Sequence, residues 1–128
     1  MKAVIVPLLA GLLYPSESDL PVEFFSREWP QGKPVQPGEV PALLGLPERI
    51  VVTEREPSAF WDRVTAAQPW HDARERERTR LFTEVKDILE SQLTTIRYFE
   101  AGKDEITLLL IGLSDGQVVG IQTKAVRT

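Results

Sequence analysis

The sequence predicts an α/β protein, a single-domain three-layer α/β/α sandwich over residues 1–128 built on a mainly antiparallel sheet. Three observations lead there. The last third reads as strands Ile96–Ala101, Glu105–Leu113 and Gln117–Val126, joined by the turns Ala101–Asp104 and Ser114–Gly116, and such short turns make neighbours antiparallel. The stretch from Asp72 to about Thr94 changes to a helical period, with Leu81, Phe82, Val85, Ile88, Leu89 and Leu93 on one stripe. Leu108–Ile111 is apolar at every position, so that strand needs cover on both faces, and helices on two sides would supply it.

From the N-terminus, Ala3–Tyr14 is an apolar run of 12 residues behind Lys2. Val4, Ile5 and Val6 are β-branched, so a helix is expected to start near Pro7, with the proline in its first turn. Such a helix is apolar all round, and is expected to be buried or paired with a partner. A secretory signal over residues 1–18 has a similar start, but no small-residue cleavage site follows and the run is too short to span a bilayer. The chain is therefore read as cytoplasmic.

Val22–Trp29 is rich in β-formers and reads as a strand. Pro30–Pro47 holds five prolines and three glycines and reads as a loop with one short turn near Ala42–Leu44. Arg49–Thr53 is a second strand. Pro57–Thr65 has a proline at its start and Ala59 or Phe60 with Val64 on one face, so it reads as a short helix. Gln68–His71 interrupts the pattern, and Asp72 is placed to cap the long helix that follows. The alternation Arg74-Glu75-Arg76-Glu77-Arg78 reads as a solvated face.

Composition narrows the function. Fifteen basic and 19 acidic residues give a net charge of −4, which opposes a nucleic-acid coat that must replace counterions. The absence of cysteine excludes disulfides, thiol nucleophiles and zinc fingers. A single histidine, His71, cannot build a multi-histidine metal site. The chain also lacks asparagine and carries ten prolines, a bias shared by heat-adapted proteins and GC-rich genomes. Glycine-rich phosphate loops and a nucleophile elbow are missing, and Gly112–Gly116 reads as a hairpin turn.

Glu17, Asp19 and Glu23 cluster around a polar turn, where carboxylates hold Mg²⁺ or act as an acid/base pair but are more often simply solvated. His71 and Asp72 are adjacent, a spacing at which side chains do not face each other. The last strand runs almost to Thr128, which ends in hard oxygen donors of the kind Mg²⁺ prefers.

Two blocks carry a resemblance. Gly11-Leu-Leu-Tyr-Pro-Ser-Glu-Ser-Asp-Leu-Pro-Val-Glu-Phe24 is one. Ile111-Gly112 with Gly120-Ile-Gln-Thr-Lys-Ala-Val-Arg-Thr128 is the other. Together, over about residues 8–128, they resemble the nuclease A inhibitor family, whose members block sugar-nonspecific, metal-dependent endonucleases of the ββα-metal type. The resemblance implies an α/β/α sandwich that is an inhibitor rather than an enzyme, with no catalytic residue, no cofactor and no metal of its own. It implies contacts from Glu17, Gln68, Trp70 and Thr128, with Thr128 reaching toward the magnesium of a partner nuclease. It implies a protein partner, with no direct binding of nucleic acid or membrane. The family's aspartate in its Gln-Asp-Trp stretch is Pro69 here, so a charged contact is lost at that position. Two readings compete: an interaction module of this fold with an unrelated partner, and a small hydrolase using Glu17, Asp19, Glu23 and His71.

Overall fold

The computed structural model describes residues 1–15, 20–66 and 71–126. Its elements run α1 (Lys2–Leu9), β1 (Leu13–Tyr14), β2 (Leu20–Pro21), β3 (Glu23–Glu28), a 3₁₀ turn (Pro37–Glu39), α2 (Val40–Leu44), β4 (Val52–Arg55), α3 (Pro57–Thr65), α4 (Ala73–Gln92), β5 (Thr94–Gly102), β6 (Glu105–Ser114) and β7 (Gln117–Val126). Five strands form one antiparallel sheet in the order β3-β7-β6-β5-β4, and β1 and β2 form a separate two-stranded hairpin.

The β5–β6–β7 meander is the expected one, and it sits at the centre of the sheet. Strand alternation divides its side chains. Ile106, Leu108 and Leu110 of β6 join Tyr98, Val119, Ile121 and Ala125 on one face, against Ile5 and Leu9 of α1, Phe60 and Val64 of α3 and Phe82, Val85 and Leu89 of α4. Leu109 and Ile111 turn the other way and join Phe25, Phe99, Ala101 and Val118. That second core is closed by Trp29, Val35, Val40, Leu43, Leu44 and Leu46. The proline-rich stretch is thus a structural layer rather than a passive connection. It holds the 3₁₀ turn and α2, a longer helical piece than the turn expected near Ala42–Leu44, and the Trp29 indole N–H donates to Lys33 O at 2.7 Å to fold its start inward. Each fully buried large side chain contributes about 1.5–3 kcal/mol, so both layers matter to stability.

The first helix corrects the sequence reading. It begins at Lys2 and carries Pro7 inside it. Pro7 has no N–H for the Ala3 carbonyl, four residues back. Both residues are exposed, so water can donate to that carbonyl in place of the missing N–H. Nor is the helix buried all round: Ile5 and Leu9 face the core at i, i+4, while Val4 is 56% exposed and Val6 42%. The helix stops early because Gly11 takes a left-handed φ of 75°, and Leu13–Tyr14 leaves it as strand β1.

Elsewhere the differences are at boundaries. The strand expected at Arg49–Thr53 lies at Val52–Arg55, because Ile50 N–H bonds back to Pro47 O and prolongs the preceding turn. The strand expected at Val22–Trp29 spans Glu23–Glu28. β5 starts two residues early through a bulge between Thr94 and Arg97. The Pro57–Thr65 helix and the Asp72 cap of α4 are as expected.

Gly120 sits in β7 between β3 and β6, and a Cβ there would lie 1.9 Å from Leu110 O. Backbone cannot yield cheaply at the middle of a sheet. We therefore expect Gly120→Ala to cost about 3 kcal/mol, at the upper end of overpacking effects, read as a lowered midpoint in chemical denaturation. An unchanged midpoint would show that the strands have room to part.

Candidate functional site

The four residues implied by the resemblance, Glu17, Gln68, Trp70 and Thr128, lie outside the described residues, as do Asp19 and Arg127. The structure describes what brackets them.

Residues 16–19 are spanned by the β1–β2 hairpin, where Tyr14 pairs with Leu20 and Leu13 with Pro21. Contacts on both limbs fix this hairpin to the body of the protein. The Tyr14 ring is buried and stacked on Phe60, 5.5 Å between centroids. Arg63, in the last turn of α3, donates from Nε to Pro15 O at 3.1 Å and holds its guanidinium 5.7 Å from the Tyr14 ring centroid. On the other limb, the Thr123 hydroxyl of β7 donates to Pro21 O at 2.8 Å, and Val22 N–H bonds to Leu12 O.

The 67–70 segment joins α3 to α4. On its far side Asp72 caps α4: its carboxylate accepts from Glu75 N–H at 2.8 Å, while Glu75 reaches back to Asp72 N–H at 3.3 Å. This settles the adjacent His71–Asp72 pair. The carboxylate facing the imidazole is Glu75, one helical turn on and 3.5 Å from Nε2, and Asp72 works as a cap.

The brackets converge. Pro15, Ala66 and His71 line one cleft of about 280 Å³ together with Arg63, Arg78 and Thr79. Leu20 and Pro21 line a smaller cleft of about 110 Å³ with Glu23, Thr107, Gln122, Thr123 and Lys124. The hairpin connects the two clefts, and β7 runs beneath it to Val126, which pairs with Glu105. Lys124 is on the solvent side of β7 and pairs with Glu105 at 3.2 Å. Glu23 is exposed on β3, in register with Gln122. Among the described residues no group of three His, Asp or Glu is arranged to hold a metal, and no helix is long and apolar enough to cross a membrane.

A family model described as nuclease A inhibitor-like protein matches residues 2–128. The chain belongs to this family. The match takes in α1 as well as the stretch from residue 8 onward that carries the resemblance. No curated protein matches the chain. Within this nuclease A inhibitor-like protein, Arg63 and Thr123 are the residues that reading along the sequence did not single out. Their contacts with Pro15 and Pro21 span 48 and 102 positions, and no local pattern announces a contact at such separation.

In the charge run at the start of α4, Arg74, Arg76 and Glu77 are exposed as expected, while Glu75 and Arg78 are half-buried. Glu77 pairs with Arg80 at 2.6 Å, and Glu84 accepts from the same guanidinium. The hydrogen bond from Arg80 holds the Glu77 carboxyl below the ordinary value of 4.5; slight desolvation works the other way, and the Arg80 charge adds to the lowering. A depressed carboxyl contributes its stability above the unfolded pKa and loses it as pH falls through the folded one. NMR titration of Glu77 should therefore give a midpoint below 4.5, returning toward it in Arg80→Ala; equal midpoints would remove the ion pair. Asp72→Ala should cost about 1 kcal/mol by loss of the cap, seen in thermal denaturation, and no loss would mean that Glu75 alone holds the helix start.

Proposed function

We propose that this protein binds a sugar-nonspecific, metal-dependent endonuclease of the ββα-metal type and blocks its active site. Thr128 and Glu17 are the blocking groups, with Gln68 and Trp70 adding contacts at the rim. The protein has no catalysis of its own on this reading. The observation that carries it is membership of the nuclease A inhibitor-like family over residues 2–128.

The surrounding geometry supports it. A phosphodiester-cleaving cleft holds a divalent metal and cationic side chains. A blocker must present oxygens and negative charge where phosphate sits, and a glutamate with a terminal carboxylate is chemically suited to that. Described neighbours of residues 16–19 and 67–70 line two clefts, and those of 16–19 are fixed: Tyr14 in the core, Pro15 by Arg63, Pro21 by Thr123. Rigid supports reduce the ordering cost of association. A net charge of −4 favours encounter with a basic cleft, most strongly at low salt.

The test is inhibition of a ββα-metal nuclease by purified protein. Glu17→Ala and deletion of Thr128 should each raise the inhibition constant about 30-fold or more, the ~2 kcal/mol expected of a central interface residue, with thermal stability unchanged. If both variants inhibit as well as the parent, the blocking site is elsewhere.

A further inference from the structure

The larger of the two clefts has a chemistry that the blocking mechanism does not use. It lies between α3 and α4, and its polar lining among the described residues is cationic or neutral: Arg63, Arg78, His71 and Thr79. Among the described residues no carboxylate lines it. Arg63 is held in place by its Nε bond to Pro15 O and by the Tyr14 ring, which leaves its two terminal nitrogens as donors. Arg78 is half-buried, and among the described residues it has no ion-pair or hydrogen-bond partner. Of the carboxylates near it on α4, Glu77 and Glu84 are engaged with Arg80, while Glu75 accepts from the Asp72 N–H and lies 3.5 Å from Nε2 of His71 at the cleft's edge.

Two arginines lining one concavity put two sets of cationic donors within reach of an anion that enters it. Arginine stays charged at any working pH, and its planar fork matches the paired oxygens of a phosphate or carboxylate. We propose that the α3–α4 cleft is an oxyanion-binding site, with Arg78 and Arg63 as its clamps and Thr79 as a neutral polar wall. The shared chemistry is a tetrahedral or planar oxyanion. It has two sources: a phosphate free in solution, or a carboxylate side chain of the protein partner. The second source rests on the inhibitor reading given above; the first does not.

Inorganic phosphate is the probe, titrated at constant ionic strength into the full chain and followed by calorimetry and by NMR shifts. The variants are Arg78→Gln, which keeps most of the aliphatic stem, and Arg74→Gln, which removes an exposed arginine of the same helix outside the cleft. Saturable binding is expected for the parent and for Arg74→Gln, weakened at least tenfold in Arg78→Gln. Absence of saturation in the parent, or equal binding by Arg78→Gln, overturns the site. Affinity for the nuclease then separates the sources. A tenfold or greater loss in Arg78→Gln assigns the site to a partner carboxylate, and an unchanged affinity assigns it to a free oxyanion. Because the phosphate titration contains no nuclease, failure of the inhibitor reading leaves its outcome intact.

Discussion

The apolar run of β6, Leu108 to Ile111, buries side chains on both sides of the sheet, and a strand can do so only if each face is covered. On one side the cover comes from three helices. On the other it comes from a segment so rich in proline that it forms little regular structure, only one 3₁₀ turn and the five-residue α2. Proline suits that task. Its fixed φ lowers the conformational freedom that an irregular cover must give up on folding, and its missing N–H leaves one fewer backbone donor to satisfy at each position.

β7 is where this constraint meets the hairpin. It pairs on both sides, with β3 and β6, and its Thr123 hydroxyl holds the hairpin that brackets residues 16–19. α3 holds the other limb of the same hairpin through Phe60 and Arg63. The hairpin is only two residues wide, too small for independent stability, so its geometry is borrowed from the main sheet and the helix layer. A change deep in either layer therefore reaches the hairpin through Tyr14 or Pro21.

Much of this was legible in the sequence where the pattern is local. The hydrophobic period of α4, the Asp72 cap and the turns at Gly102 and Gly116 each carry their signal within a few residues, and those elements stand as read. The first helix was misread because β-branched Val4–Val6 and Pro7 argue against helix in isolation, whereas the burial of Ile5 and Leu9 overrides propensity. The hairpin was missed because strands of two residues have no period to detect. The role of the proline-rich stretch was illegible because its apolar residues, Val35, Val40 and Leu46, follow no repeat; only the three-dimensional path aligns them over Phe25 and Leu109. At the site, motif resemblance pointed to Glu17, Gln68, Trp70 and Thr128, while the supports Arg63 and Thr123 act across long sequence separation and show themselves only in the folded chain.

The two outer strands carry a different message. β3 leaves Glu23, Arg27 and Glu28 exposed, and β4 is four residues long with Thr53, Glu54 and Arg55 exposed. Brevity and charge at both margins discourage another chain from lengthening the sheet by backbone pairing. Recognition by β-augmentation is thereby disfavoured, and so is fibrillar self-association. What the fold leaves for contact with other macromolecules is its side-chain chemistry.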